Sequence, residues 1–235
     1  MSNVLAMKDV AFGWPGKASF GIDIADFTLA AREKLLLIGP SGAGKSTLLA
    51  LVAGIVAPQR GSIRVLGTEL TSLGSAARDR FRAEHIGVIF QMFNLLPYGS
   101  VIDNVLLPLS FAPGRRARIG APGAAVAEAT RLLARLGLEE SHIIGRSAAN
   151  LSVGQQQRVA AARALIGRPD LVIADEPTSA LDRNRQTAFL DLLFGEIDAA
   201  GAALMMVSHD ETLAQRFDRV VRLDEIARPL VETAE

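Results

Sequence analysis

Gly39-Pro40-Ser41-Gly42-Ala43-Gly44-Lys45-Ser46-Thr47 is the stretch of sequence that decides the fold. Two glycines frame four residues and are followed by Lys45 and Ser46, directly after an apolar run, which is the pattern of a phosphate-binding loop. Glycine lets backbone N–H groups turn inward around phosphate oxygens, and the helix that starts near Lys45 offers its positive end. A glycine-rich turn without a ligand would require neither lysine nor serine here. All nine residues are therefore predicted to hold ATP, with Lys45 on the outer phosphates and Ser46 ligating Mg²⁺.

Short apolar runs of strand length recur along the chain with helical patterns between them, which predicts an α/β fold with a mostly parallel sheet. Each run ends in polar residues, and the carboxyl ends of strands line the ligand crevice of open α/β sheets. The sequence therefore predicts a P-loop NTPase core with one shared site. The runs are Lys34–Ile38, Ile86–Phe90, Leu171–Ala174 and Ala203–Val207.

The beginning of the chain has a different pattern. Apolar residues alternate with polar ones within residues 1–30, which predicts a small antiparallel β layer before the main sheet. We expect this layer to be part of a single ATP-binding domain spanning residues 1–235. The alternating apolar residues are Ile22, Ile24, Phe27 and Leu29.

The middle of the chain is predicted to be helical. Apolar residues fall at helical spacing, and Gly137 is placed as a C-terminal cap, so residues of about 100–165 are expected to form a helical subdomain inserted in the core. The stretch Ala112–Gly123 is rich in proline, glycine and arginine and is expected to be an exposed connection. The apolar residues at helical spacing are Val126, Leu132, Leu133 and Leu136, and those predicted to pack the helix after the phosphate loop are Leu48, Leu49, Val52 and Ile55.

Two adjacent carboxylates, Asp175 and Glu176, follow the buried run Leu171–Ala174. By itself, such a pair is more often a solvated loop, but beside a phosphate loop it has a use. Asp175 is suited to the magnesium shell, usually through water, and Glu176 to polarising the water that attacks the γ-phosphate.

The composition narrows the classes of function. The chain has 235 residues, of which 49% are hydrophobic, and its 25 basic residues balance its 25 acidic ones. A neutral balance gives no basic face for a phosphate backbone, so no nucleic-acid partner is expected. The absence of cysteine excludes disulfides and thiolate sites and is consistent with a reducing compartment. The longest apolar stretch, Leu48–Ala57, is about half of the ~20 residues that a spanning helix needs. No secretory signal is visible, and a cytoplasmic protein is expected.

The order of motifs resembles the ATP-binding cassette (ABC) family, the motor domains of ABC transporters, over nearly the whole chain. After the phosphate loop come, in order, Gln91 in Ile89-Phe90-Gln91, Leu151-Ser152-Val153-Gly154-Gln155, the carboxylate pair, Ser179-Ala180-Leu181-Asp182 and Val207-Ser208-His209-Asp210. The stretch from Gly87 to Leu109 looks like the lipoprotein-releasing and macrolide-exporting group of cassettes. Ser179-Ala180 instead is closer to importers of polar amino acids, so the direction of transport stays open.

The resemblance implies a site shared between two cassettes that close head to tail, as a homodimer or as a heterodimer with a second cassette. Ser152, Gly154 and Gln155 would face the γ-phosphate held by the partner, and Asp182 would work across the same interface. This chain has Val153 where the family usually has glycine. A β-branched residue restricts the backbone, so closure is expected to be somewhat altered.

The resemblance also implies roles for residues outside the signature segment. Gln91 would sense magnesium and the attacking water, so it is assigned both to catalysis and to the metal. His209 would contact the γ-phosphate and orient Glu176, and Lys45 is counted with the catalytic residues. Trp14, the only tryptophan, stands where the family tends to place an aromatic ring that stacks on adenine.

The leading hypothesis is a Mg²⁺-dependent ATPase subunit that powers a separate membrane permease by ATP-driven dimer closure. It would lie at the inner face of the cell membrane, held there by the permease. The permease contact is expected beside Gln91, where the run Met92–Tyr98 is unusually apolar and aromatic, although core packing could explain part of that run.

Two alternatives belong to other classes. A cassette that serves another process with a membrane partner, such as cell division, would use the same motifs and the same docking groove. A kinase or GTPase is disfavoured, because the guanine-reading Asn-Lys-x-Asp is absent and neither needs a Leu-Ser-x-Gly-Gln segment.

Overall fold

The computed structural model of the chain describes residues 3–14, 21–40, 42–121, 123–138 and 144–229. The chain divides into two compact units: a first unit of residues 1–82 and 203–235, and a second unit of residues 83–202. In chain order the strands are β1 (Asn3–Gly13), β2 (Gly21–Ala30), β3 (Lys34–Ile38), β4 (Arg60–Val65), β5 (Thr68–Glu69), β6 (Ile86–Ile89), β7 (Leu171–Asp175), β8 (Ala203–Ser208), β9 (Arg219–Arg222) and β10 (Ala227–Pro229). The α-helices are α1 (Lys45–Val52), α2 (Ser75–His85), α3 (Val101–Leu106), α4 (Pro113–Ile119), α5 (Ala124–Arg135), α6 (Val153–Leu165), α7 (Arg183–Ala200) and α8 (Leu223–Ile226).

The first unit contains an antiparallel sheet with the strand order β10-β2-β1-β4-β5. Buried and more exposed residues alternate within each half of β2, and its four buried side chains are at most 3% exposed. The antiparallel pairing predicted for the alternating residues is confirmed. The buried residues of β2 are Ile22, Ile24, Phe27 and Leu29.

The first unit also contains parallel strands, with β3 paired to both β8 and β9. The leucines of β3, residues 35–37, are fully buried, as expected of a strand covered on both faces. The register places Ile38 opposite Ser208. The segments that follow β3 and β8 therefore leave the sheet side by side.

The second unit pairs β6 with β7 in parallel, with Ile89 opposite Ala174. Helix α6 packs closely on β6, since a Cβ built on Gly87 would lie 2.3 Å from Ala164 O. Only glycine permits this approach of helix and strand. The four predicted strands are confirmed, each with its ends within one residue of the predicted position.

The predicted exposed connection at Ala112–Gly123 is wrong, because Pro113–Ile119 form α4. The carboxylate of Glu84 accepts from Gly114 N at 2.9 Å and from Arg115 N at 3.0 Å and so caps the helix from outside. Arg115 is 1% exposed and donates to Ile166 O and Ala164 O at the end of α6, both at 2.8 Å. Burial lowers the pKa of Arg115 to about 10, which leaves its guanidinium charged at neutral pH.

One smaller expectation also fails. Ile55 lies beyond the end of α1 and is 48% exposed, so it is not core packing. Near the end of the described residues, β10 pairs with β2. The predicted cap at Gly137 is confirmed, since it follows α5 with a φ of 82°. The single domain at 1–235, with a β layer at 1–30 and a helical insertion at 100–165, stays a prediction.

Among the described residues, no helix combines the length and apolarity needed to span a membrane.

Candidate functional site

The phosphate loop has the backbone that its glycines predict. Gly42 and Gly44 have φ values of 79° and 106°, in the region that side chains disfavour. A Cβ on Gly44 would also lie 2.8 Å from Ile22 Cγ2, so the position excludes any side chain on two grounds. Helix α1 begins directly at Lys45 without a side-chain cap, which leaves its first N–H groups to a ligand such as phosphate. Ser41 lies outside the described residues.

Lys45 is held at the mouth of this loop. Its side chain is buried, and Nζ donates to Gly39 O at 2.6 Å and to Pro40 O at 3.0 Å. Carbonyl oxygens are weaker partners for an ammonium group than phosphate oxygens, which are charged. The next residue, Ser46, is exposed at the start of α1, as a magnesium ligand requires.

Trp14 is joined to the phosphate loop by its side chain. Its Nε1 donates to Thr47 Oγ1 at 3.1 Å, and the Phe12 ring contacts it edge to face at a centroid distance of 5.1 Å. These contacts fix the orientation of the indole, while 38% of the residue stays exposed. An exposed ring held at one edge is suited to stacking on a planar base.

His209 follows β8 at the same edge of the sheet as the phosphate loop follows β3. The pairing of Ile38 with Ser208 makes Gly39 and His209 the next residues on neighbouring strands. His209 is exposed, and the adjacent Asp210 N donates to Ser208 Oγ at 3.0 Å. The first unit thus brings together Trp14, the phosphate loop and His209.

The second unit brings together the other predicted residues of the catalytic step. Asp175 ends β7, and Glu176 follows it with a φ of 44°, which is rare for a residue with a side chain. Both carboxylates are half-buried. Because Ile89 pairs with Ala174, Gln91 and Glu176 each come two positions after a paired residue on neighbouring strands. Gln91 is exposed.

The Ser152 to Gln155 segment starts α6 with a capping box. Gln155 N donates to Ser152 Oγ at 3.3 Å, and Ser152 N donates to Gln155 Oε1 at 2.9 Å. A hydroxyl that accepts one bond keeps its proton for a second partner. Val153 is 51% exposed and Gly154 is half-buried. The start of this 13-residue helix therefore presents a hydroxyl and a positive helix end to an anion.

Two buried polar side chains that the sequence prediction missed support the backbone that follows Gln91. Arg163 on α6 is 8% exposed and donates to Asn94 O at 2.7 Å and to Phe93 O. Burial lowers the pKa of Arg163. Asn104 is fully buried, accepts from Leu96 N at 2.7 Å and donates to two backbone carbonyls. An arginine within the apolar run 159–165 of a helix was a signal that could have been used.

The apolar run after Gln91 is divided between core and surface. Phe93 is 8% exposed, whereas Met92 and Tyr98 are 79% and 83% exposed. A cleft of about 750 Å³ lies beside α3. Residues 107, 109 and 110 help to line it, and the next residue, Phe111, is exposed. Apolar side chains dominate the lining of the cleft, including those of Leu106, Leu107, Leu109, Ile119 and Val126.

Comparisons with known proteins show which family this chain is similar to. The family described as ABC transporter matches residues 22–179. The chain is 40% identical over 214 residues to "Lipoprotein-releasing system ATP-binding protein LolD 2" of Rhodospirillum rubrum, covering 91% of this chain and 89% of that protein. It is 43% identical over 193 residues to "Uncharacterized ABC transporter ATP-binding protein YbbA" of Escherichia coli K12, covering 81% and 80%. The dimeric ATP-binding cassette MJ0796, solved in a post-hydrolysis state with ADP and Pi, superposes with a TM-score of 0.79 at 30% identity and covers 93% of both chains.

Proposed function

The chain belongs to the ABC transporter family and is an ATPase subunit of a membrane transporter, and we propose that it binds ATP with Mg²⁺ through Gly39–Thr47 and uses Glu176 as the base. The observation that carries the proposal is the loop itself. Gly44 has a backbone and a space that only glycine fits, Lys45 is held at the mouth, and Trp14 is tied to Thr47 at 3.1 Å. These features prepare one end of the nucleotide site for phosphate and the other end for the adenine ring.

Hydrolysis is assigned to residues that end or follow four strands, β3, β6, β7 and β8. Asp175, Ser46 and Gln91 would hold magnesium, which supplies positive charge to the phosphate oxygens in the transition state. Glu176 would polarise the attacking water, and His209 would contact the γ-phosphate and orient that carboxylate. The strained backbone of Glu176 supports this assignment, because such backbones cluster at active sites.

A second cassette completes the proposed site. Ser152, Gly154 and Gln155 begin α6, and the positive end of that helix would face the γ-phosphate bound by the partner. The MJ0796 cassette is described as a dimer, which supports the same arrangement for this chain. The exposed Val153 side chain lies beside these residues, so its branched Cβ is expected to affect how closely the two chains approach.

The permease is proposed to contact the exposed apolar surface of the second unit. Met92 and Tyr98 are each about four-fifths exposed, although the backbone around them is fixed by Arg163 and Asn104. Preorganised apolar groups of this kind suit a protein interface. Relatives named as ATP-binding proteins of lipoprotein-releasing systems support a lipoprotein cargo for the permease. The ATPase would be held at the inner face of the membrane by the permease.

Co-expression with the membrane protein encoded nearest to this chain tests the docking proposal. The Tyr98→Arg and Met92→Arg variants should each lose co-purification with that protein by at least about tenfold, because losing an apolar anchor at an interface costs at least about 2 kcal/mol. Ile55→Arg is the matched control, since Ile55 is 48% exposed but lies in the first unit. Equal capture of all variants would refute the proposed surface. Capture of a cell-division protein instead of a permease would favour the non-transport alternative.

A further inference from the structure

Buried amide side chains hold the two residues that follow Glu176. Gln157 is 1% exposed, and its Nε2 donates to Pro177 O at 2.7 Å. Gln186 is 8% exposed, and its Nε2 donates to Thr178 Oγ1 at 3.1 Å. The first amide comes from α6 and the second from α7. Two consecutive residues after the carboxylate are therefore fixed by side chains from two different helices.

Glu176 depends on this support because of its backbone conformation. A φ of 44° brings the Cβ close to the following backbone, and residues hold such angles only where their surroundings impose them. Ser179 N donates to Glu176 O at 3.2 Å and closes a turn that contains Pro177 and Thr178. If the Pro177 carbonyl lost its partner, the turn could relax, and the carboxylate of Glu176 would move with it.

The hydrogen bonding of Gln157 is directed at this turn. Among the described residues its Oε1 is buried without a hydrogen-bond partner, so the bond to Pro177 O is the one that its amide side chain makes there. A buried acceptor without a partner is unfavourable, and a methionine of similar length would avoid that cost. The sequence nevertheless has glutamine at this position, which points to a need for the donor.

We propose that Gln157 is a positioning residue for ATP hydrolysis: its amide N–H holds the Pro177 carbonyl and thereby sets the position of the Glu176 carboxylate. The proposal rests on the proposed role of Glu176 as the base. Helix α6 begins with Ser152 and Gly154, so the same helix that would meet the partner's nucleotide carries the donor. A displacement of α6 when two cassettes close is thereby transmitted to Glu176 within one chain.

The Gln157→Met and Gln157→Glu variants of the full chain test the proposal. Met keeps the length of the side chain without a donor, and an ionised Glu offers acceptors to a carbonyl that needs a donor. In both variants we expect kcat to fall about 10- to 100-fold, the range associated with misplacing a catalytic group by about 1 Å. The KM for ATP should stay within about twofold. A slow hydrolysis step should also trap an ATP-bound dimer, visible by light scattering with ATP and Mg²⁺.

The matched control is Gln156→Met, which removes a neighbouring amide whose Nε2 donates to Leu151 O at 3.0 Å. Its kcat should stay within about twofold of wild type. A wild-type kcat in Gln157→Met, or an equal loss of ATP affinity and turnover with no trapped dimer, would overturn the positioning role. The Glu176→Gln variant separates the two proposals. Full turnover in Glu176→Gln would refute the role of Glu176 as the general base. An inactive Glu176→Gln together with a fully active Gln157→Met would refute only the positioning role of Gln157.

Discussion

Replacing Trp14 should weaken ATP binding only by removing the contact with the adenine ring. The indole is 38% exposed, and its free face is the surface available to adenine. Stacking of a base on an aromatic side chain contributes about 1–3 kcal/mol by alanine substitution. Since about 1.4 kcal/mol corresponds to tenfold in affinity, Trp14→Ala should raise the Kd for ATP about 5- to 150-fold.

Trp14→Phe separates the ring from its hydrogen bond. Phenylalanine keeps an aromatic face but loses the Nε1 donor to Thr47 Oγ1. The bond is made before ATP binds, so it aids binding only by holding the ring in place; losing about 0.5–1 kcal/mol of this preorganisation should raise the Kd about two- to fivefold. At saturating ATP, kcat should change by less than about twofold in both variants, because the stack is made equally in the ground and transition states.

Calorimetry in a Glu176→Gln background, where hydrolysis should be blocked, measures these affinities. Inorganic triphosphate is the internal control, because it carries the phosphates without a base. We expect wild type, Trp14→Ala and Trp14→Phe to bind triphosphate equally. If Trp14→Ala binds ATP as tightly as wild type, the ring does not stack on the base. If it loses triphosphate as well, Trp14 supports the loop and does not recognise adenine.

Three further predictions concern the loop and the stability of the fold. Gly44→Ala should lower ATP affinity more than Gly42→Ala, because both have a positive φ but only the first brings a Cβ against Ile22, and titration calorimetry compares the two. Arg115→Met should lower the free energy of unfolding by about 2–4 kcal/mol in denaturant titrations, because it leaves buried carbonyls at the end of α6 unpaired. Its neighbour Arg116 is exposed, so Arg116→Met should change the free energy of unfolding by less than about 0.5 kcal/mol. Burial alone would raise the pKa of Glu69, but hydrogen bonds from Ser62, Thr71, Arg64 and Ile63 N outweigh it and lower the pKa from 4.5 to about 2. The contribution of Glu69 to stability is therefore present above about pH 4.5 and lost as the pH falls towards 2. Between these pH values wild type should lose more stability than Glu69→Gln. Equal losses would contradict the lowered pKa of Glu69.

The part of the site that local sequence determines could be predicted. Spacing alone located the phosphate loop, because the loop's function depends on glycine conformations and on a helix that starts at once. Helix α1 does begin at Lys45 after a strand ending at Ile38. Apolar runs likewise located the strands that carry Asp175 and His209, since a buried strand ends where its apolar residues end.

Features that depend on distant partners could not be predicted in the same way. Helix α4 looks like a loop in sequence because proline and glycine open it, and the carboxylate that caps it belongs to Glu84, thirty residues earlier. Strand β10 exists because β2 offers it an edge. The donor Gln157 could be recognised as buried only once the carbonyl that it binds was located.

We propose that this chain hydrolyses ATP between two cassettes, with Glu176 as the general base. ATP turnover and molar mass by light scattering test this for wild type and Glu176→Gln, each with and without ATP and Mg²⁺. We expect wild type to turn over ATP, and Glu176→Gln to be inactive but to form a dimer only when ATP is present. Full turnover in Glu176→Gln, or an inactive variant that stays monomeric at saturating ATP, would contradict it.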